Sequence, residues 1–202
     1  IRIKFQGKIV RERRTSRGLA QGAVLSPICF AIYTRTINSI CGPRVRSLQY
    51  ADDKTLYAVE ESDQETVDVL EETIHQLKPW LLNLGLNLSS SKSSTIAFTR
   101  RRRAIRANSI EFDGIEVPNV RVCRILGLYL DTGMTWKAHI QHVEGSCEKG
   151  INLLRSVAQT NFGADPKTAL LLYTHLIRSK MDYGCFLFGD AANTNLKKLD
   201  VI

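Results

Sequence analysis

Long apolar runs are missing from this 202-residue chain. A membrane-spanning helix needs about 18 or more apolar residues in succession, and no such run, nor any stretch resembling a secretory signal, occurs here. The cysteines are equally uninviting as a framework. There are five, Cys29, Cys41, Cys123, Cys147 and Cys185, odd in number and widely spaced, with no Cys-x-x-Cys among them. That excludes a disulfide scaffold and a zinc knuckle, and leads us to expect a soluble protein of a reducing compartment, the nucleus and/or cytoplasm, not secreted and without a membrane partner. His139, His142 and Cys147 fall close together on a predicted helix, yet a fourth ligand at suitable spacing is lacking, and structural zinc almost always takes four. Internal repeats and low-complexity linkers are lacking too. Finally, Ile1 to Ser16 contain no aspartate and the chain does not begin with methionine.

What is present is ordinary globular composition, 44% hydrophobic and 24% charged, with a net charge of +8. It is enough to build a core and to favour a polyanionic partner, because Lys and Arg that neutralise phosphates release counterions. The densest basic cluster is Arg100, Arg101, Arg102 and Arg103 with Arg106. It reads either as a loop along a nucleic-acid backbone or as a solvated turn.

The most informative stretch is Tyr50-Ala51-Asp52-Asp53, between the strand-like runs around Val45 to Leu48 and Thr55 to Val59. Asp is poor inside a strand and good in a tight turn, so the pattern predicts a hairpin with two carboxylates where the chain reverses. Two adjacent ionised carboxylates repel, and the usual compensation is a hard divalent cation. Upstream, Arg17 to Phe30 forms a glycine-punctuated loop running into a helix, with Ser26 expected as N-cap, Pro27 in the first turn, and Ile28, Ala31 and Ile32 opening an apolar face. Such a loop suits the close approach of a phosphate or nucleotide.

Gln21-Gly22 with Ser26-Pro27, followed by Tyr50-Ala51-Asp52-Asp53, resembles the reverse transcriptases, and more specifically those of non-LTR retrotransposons of the jockey-like LINE type. The resemblance continues through Gly85-Leu86-Asn87-Leu88 to Lys92, through Arg124-Ile125-Leu126-Gly127-Leu128 as a primer-side segment, and through Trp136 to Gly189 as a helical thumb. Asn152 to Ser156, Gly163-Ala164-Asp165 and Met181-Asp182-Tyr183-Gly184 are its thumb phrases. It implies an RNA-directed DNA polymerase with RNA template, DNA primer and dNTP as partners and Mg²⁺, or Mn²⁺ in its place, as cofactor. By the same resemblance Asp52 and Asp53 are catalytic metal ligands, Asp52 the surer, and Lys92 approaches the triphosphate. Gln21, Gly22 and Ser26 line the nucleotide or template side; Tyr50, Leu126 and Gly127 lie on the primer side; Arg100 to Arg103 follow a nucleic-acid backbone. Ala20 departs from the family's usual proline. The family's further catalytic aspartate lies upstream of the Gln-Gly loop, so we expect a fragment truncated at both ends that alone catalyses poorly or not at all.

Between these motifs the periodicity predicts a hairpin around Gln6-Gly7, a helix opened by a Ser62/Glu65 capping box, kinked at Pro79 and ended by Gly85, and a strand from Leu88 to Phe98. It then predicts a hairpin at Asp113-Gly114, a strand from Val120 to Leu130, a helix with Ile140, Val143, Cys147, Ile151 and Leu154 on one face, and a buried helix over Leu170 to Met181 behind an Asp165-Pro166 cap. The fold class expected is α+β, a partial polymerase palm over residues 1–132 and a helical thumb over 133–202. The alternative is a decayed or recruited transposon remnant that binds nucleic acid without polymerising.

Overall fold

Alternating residues on either side of Ala51-Asp52 form the hairpin that organises the first part of the fold. Strands β3 (Val45–Tyr50) and β4 (Asp53–Ala58) pair antiparallel from Val45↔Ala58 to Tyr50↔Asp53, leaving a two-residue loop. The computed structural model describes residues 2–6, 8–12, 18–20, 22–99, 109–112, 114–158 and 163–202, with backbone alone for 2–5 and 9–12. The described residues form two compact units, Ile1–Leu88 and Ser89–Ile202. Their elements are a mixture of helices and antiparallel two-stranded hairpins.

In the first unit, β1 (Arg2–Phe5) and β2 (Lys8–Glu12) pair around the expected turn. Helix α1 (Ser26–Thr34) and the short α2 (Ile37–Ile40) precede the β3–β4 hairpin, and α3 (Asp63–Asn83) follows it. The ends of α3 are as the sequence predicts. The Ser62 hydroxyl accepts the Glu65 amide at 3.1 Å, a cap worth about 1 kcal/mol. At the other end Leu86 N–H donates to the Leu81 carbonyl and Gly85 N–H to that of Leu82, both at 2.9 Å. This is a Schellman closure, and it requires the left-handed Gly85 (φ 70°). The helix runs through Pro79 to Asn83, as expected of a helix that Gly85 ends. It buries Val67, Val69, Thr73, Leu77 and Leu81. Val69, Leu77 and Leu81 form a core with Ile37, Cys41 and Val45, onto which Leu56 and Ala58 of β4 pack.

The apolar face expected on α1 is not buried. Ile28 and Ile32 are exposed, and Thr34 is the buried residue of the helix. Polar contacts hold α1 instead: the Tyr33 hydroxyl donates to the Leu84 carbonyl at 2.6 Å, and Thr34 lies against Gln49.

In the second unit the strand expected over Leu88 to Phe98 is replaced by a 3₁₀ turn at Ser90–Lys92 and a single parallel bridge, Thr95↔Asn119. Serine hydroxyls account for the difference: Ser93 donates to the Ser89 carbonyl at 2.8 Å, a local bond that competes with strand pairing. Strands β5 (Ile110–Phe112) and β6 (Ile115–Val117) form the predicted hairpin, with Gly114 at φ 71°. Asp113, its partner in the turn, lies outside the described residues. The single strand expected from Val120 to Leu130 is a second hairpin, β7 (Val122–Ile125) with β8 (Leu128–Asp131). It reverses at Leu126-Gly127, where φ is 48° and 88°, both positive as a type I′ turn requires.

The Asp131 carboxylate then accepts from the amides of Gly133 and Thr135 and from the Thr135 hydroxyl, shaping the entry to α4 (Lys137–Val157). Helix α4 buries Ile140, Val143 and Cys147 from the predicted face, with Ile151 and Leu154 half-buried beside them. Asp165 caps α5 (Pro166–Tyr173) through the Lys167 and Thr168 amides. The helical path continues through a π turn, Thr174–Arg178, into α6 (Ser179–Asp182). The segment expected to be buried is only partly so: Leu170 and Leu171 are exposed, whereas Ile177 is fully buried. At the π turn Ile177 comes so close to α4 that a Cβ on Gly150 would stand 3.1 Å from its Cγ1. Short α7 (Cys185–Phe188) and α8 (Asn193–Asp200) complete the unit.

His139, on the buried face of α4, sits 2% exposed between the rings of Trp136 and Phe188, and its Nε2 has no partner among the described residues. Burial, and secondarily His142, push its pKa below the ordinary 6.5. The folded chain therefore resists a proton that the unfolded chain accepts, so stability is constant above that value and falls as pH drops through it. Urea denaturation at pH 8 and pH 5.5 should show the loss, and His139→Leu should reduce that pH dependence. An unchanged pH dependence in His139→Leu would contradict this.

Candidate active site

The tip of the β3–β4 hairpin is built by division of labour between its two faces. Strand alternation and register put Val45, Ser47, Gln49, Lys54, Leu56 and Ala58 on one face, and Arg46, Leu48, Tyr50, Asp53, Thr55 and Tyr57 on the other. The first face is anchored. Gln49 Nε2 donates to Thr34 Oγ1 at 2.9 Å and to the Ala51 carbonyl at 3.2 Å. Lys54 Nζ donates to Ser47 Oγ at 2.9 Å and Asn38 Oδ1 at 3.2 Å, and Ser47 donates to the same Asn38 oxygen. Burial pushes the Lys54 ammonium below its ordinary pKa. That cation, next in sequence to Asp53, is thus turned to the face away from the Asp53 carboxylate.

The second face is open: Leu48 is 61% and Tyr50 66% exposed. Asp52, in the loop, and Asp53, the first residue of β4, are both exposed. Ala51 is held at φ 52°, a left-handed conformation costing an alanine about 1 kcal/mol, so the turn is kept by its surroundings, including the Gln49 bond to its carbonyl. The expectation that both aspartates occupy the reversal is met by Asp52; Asp53 opens the returning strand opposite Tyr50.

Neither carboxylate makes an ion pair or a side-chain hydrogen bond among the described residues. Two neighbouring, solvent-facing carboxylates are hard oxygen donors left free for a cation. They fit the way Mg²⁺ is held, by one or two carboxylates with waters and substrate phosphates in the remaining positions. Among the described residues no group of three or more His, Cys, Asp or Glu side chains is arranged to hold a metal ion.

The other predicted residues are distributed as follows. Gly22 is in a loop at φ 85° with open space where a Cβ would be. Ser26 is not the N-cap of α1. Its hydroxyl donates to the Ala20 carbonyl at 2.6 Å, and Leu25 takes the cap position without a side-chain bond. The turn from Ala23 to Ser26 begins the helix one residue early, and the hydroxyl then closes the loop. No hydrogen bond among the described residues joins Gly22 or Ser26 to the aspartates; the link runs through α1, Thr34 and Gln49. Gln21 and Arg100, Arg101, Arg102 and Arg103, with Arg106, lie outside the described residues. Lys92 ends the 3₁₀ turn of the second unit and is exposed. Leu126 and Gly127 form the β7–β8 turn of that unit.

Sequence reasoning missed the supports, Thr34, Asn38, Ser47, Gln49 and Lys54. The alternation of Ser47, Gln49 and Lys54 opposite Tyr50 and Asp53 was the available signal. The role of Asn38 and Thr34 depends on tertiary placement. No helix among the described residues is long and apolar enough to cross a membrane.

Residues 2–130 match the reverse transcriptase (RNA-dependent DNA polymerase) family. The chain is similar to two Drosophila melanogaster proteins named Probable RNA-directed DNA polymerase, one from transposon X-element and one from transposon BS. The first is 21% identical over 99% of this chain and 22% of the relative, the second 24% identical over 100% of this chain and 23% of the relative. A third Drosophila melanogaster protein, whose name places it in the type-1 retrotransposable element R1DM, is 29% identical over 86% of this chain and 16% of its own length. The chain thus spans less than a quarter of the curated relatives it matches. No solved structure matches it. Reverse transcriptases use divalent metal ions, an RNA template and nucleotide substrates, and the free carboxylates at the hairpin tip accord with that chemistry. With the family match covering most of its length, and with Tyr50-Ala51-Asp52-Asp53 presented at the tip of an anchored hairpin, the chain belongs to the reverse transcriptase (RNA-dependent DNA polymerase) family.

Proposed function

We propose that this chain contributes the Asp-Asp hairpin and the primer-side turn to the active centre of a non-LTR retrotransposon polymerase. That centre joins dNTPs to a DNA primer on an RNA template. The observation that carries the reading is the exposed pair Asp52 and Asp53, without an ion-pair partner among the described residues, on a hairpin whose own lysine is turned to the opposite face. Residues 1–132 serve as part of the palm and 133–202 as the thumb.

In the reaction a primer 3′-hydroxyl attacks the α-phosphate of a dNTP and pyrophosphate departs. Asp52 and Asp53 would hold Mg²⁺, which would supply Lewis acidity for the phosphoryl transfer. The chain's own residues do the rest. The anchored face of the hairpin fixes the carboxylates, so that they need not reorganise as charge develops. The Tyr50 ring, on the face of Asp53, flanks the primer end. Gly22, with no side chain, lets the loop backbone come near the nucleotide; Ser26 shapes that loop by holding Ala20, and Gln21 lines it. The Lys92 ammonium stabilises negative charge on the departing pyrophosphate. Leu126 and Gly127 lie beneath the primer terminus, and Arg100 to Arg103 follow the nucleic-acid backbone.

Primer extension on an RNA template with dNTPs and Mg²⁺ tests this. The assay compares the 202-residue chain with a polypeptide that continues it upstream through the next strand motif. Extension by the longer form, dependent on template and divalent ion, is expected. If the longer form is inert while the chain binds RNA with a salt dependence that ignores Asp52, a nucleic-acid-binding remnant is the correct account instead.

A further inference from the structure

The Leu126-Gly127 turn is not free. It is held by the residues that end α6, 57 positions further along the chain. The Tyr183 hydroxyl donates to the Leu126 carbonyl at 2.5 Å. The Tyr183 ring also lies against Gly127: a Cβ there would stand 3.3 Å from its Cε1 and 3.6 Å from its hydroxyl oxygen. The next residue, Gly184, approaches Leu128 so closely that its Cβ would fall 2.8 Å from Cδ2. Gly184 is left-handed, φ 72°, and this turns the chain out of α6 just after Tyr183.

These contacts have a direction. With Leu126 at φ 48°, the turn is one that leucine adopts only under constraint, and the Tyr183 bond to its carbonyl supplies a constraint. Leu126 meanwhile remains 47% exposed. The backbone is fixed from within while the side chain faces outward, the arrangement needed by a turn that meets a ligand and must not shift under it. Tyr183 is itself 55% exposed, so the clasp sits at the surface, where its loss leaves the core around Ile140, Cys147 and Ile177 intact.

We propose that Tyr183, with Gly184 behind it, is a positioning residue for the primer terminus: its hydroxyl holds the Leu126-Gly127 turn in the shape that seats the primer 3′ end. This rests on the primer-side reading of that turn. It adds a coupling between the end of the thumb helix and the primer-side hairpin, so that a displacement of α6 would carry the turn with it.

The test uses the 202-residue chain and an RNA template–DNA primer hybrid carrying 2-aminopurine at the primer 3′ terminus. Fluorescence anisotropy gives overall affinity, and 2-aminopurine emission reports the terminal base. In Tyr183→Phe the ring is kept and one hydrogen bond is lost, which should weaken the terminal signal about threefold or more, with a smaller change in overall affinity. Gly127→Ala, which forces a Cβ against the same ring, should move the terminal signal in the same direction. If Tyr183→Phe lowers melting temperature and affinity together without a separate terminal effect, the residue is merely structural and the proposal is overturned. If wild type binds the hybrid but neither variant alters the terminal signal, the clasp is irrelevant to the primer and the proposal fails while hybrid binding stands. If the wild-type chain does not bind the hybrid, the primer-side reading itself fails and the proposal with it.

Discussion

Asp52→Asn is expected to reduce RNA-templated primer extension by about a hundredfold or more while leaving the fold unchanged. The magnitude follows from position. Substitutions in the outer shell of metal sites already cost about 10- to 100-fold in metal affinity or activity, and a carboxylate proposed to touch the ion directly should lie at or beyond the upper end. An amide keeps the size and shape of the side chain but removes its charge, so the two explanations of an activity loss separate cleanly. Asp52 is exposed in a two-residue loop and makes no side-chain hydrogen bond among the described residues, so unfolding free energy should change by less than about 0.5 kcal/mol. Removing one of two adjacent negative charges would, if anything, relieve repulsion at the tip. Extension rates of the upstream-continued polypeptide, together with urea denaturation of the 202-residue chain, check both halves. A variant that polymerises normally would remove Asp52 from the active centre, and one that unfolds would assign it a structural role.

The largest effect on stability is expected at Leu77. It is 2% exposed and packs with Ile37, Cys41, Val45, Val69 and Leu81 where α3 meets α2 and the β3–β4 hairpin. Truncating a fully buried leucine to alanine removes transfer free energy and leaves a cavity, and such changes cost about 2–5 kcal/mol. Leu77→Ala should fall in that range by urea denaturation. It should also lower activity at temperatures where the wild type is stable, because the same core seats Val45 at the start of the hairpin and Leu56 and Ala58 on its return. An unchanged denaturation midpoint would contradict this packing.

What was legible in the sequence was what local chemistry decides. Asp-Asp after a strand-like run marks a reversal whatever the rest of the chain does, and β3–β4 has it. Ser62 with Glu65, Gly85, Gly114 and Asp165-Pro166 are each tied to a backbone requirement at their own position, and the elements they bound are present. The buried face of α4 was likewise written in its spacing. Errors came where a competing hydrogen bond, near in the chain or far along it, overruled the expected signal. Ser26 has the right chemistry for an N-cap, but the Ala20 carbonyl takes its hydroxyl. Leu126-Gly127 carries none of the Asn-Gly or Asp-Gly chemistry that announces a two-residue turn; Tyr183, far along the chain, helps to hold it, and so an expected strand is a hairpin. The serines before Ile96 bond to their own backbone and leave only the Thr95 bridge of an expected strand. The apolar side chains of α1 satisfied the pattern of a buried face, whereas polar bonds from Tyr33 and Thr34 attach that helix.

For the candidate site, sequence order identified the two carboxylates but not what steadies them. Lys54 is the instructive case. Beside Asp53 in sequence it would be read as the carboxylate's ion-pair partner. Strand alternation sends it instead to Ser47 and Asn38, leaving the acidic face free for a cation.

Whether that tip is a divalent-metal site is tested most directly by Mn²⁺-induced broadening of backbone amide signals in the 202-residue chain, wild type against Asp52→Asn. The account predicts that substoichiometric Mn²⁺ first broadens Ala51, Asp52, Asp53 and Lys54 in the wild type, and that the variant loses this selectivity. First broadening elsewhere, for example around Glu144 and Glu148, or broadening at the tip that persists in Asp52→Asn, would contradict it.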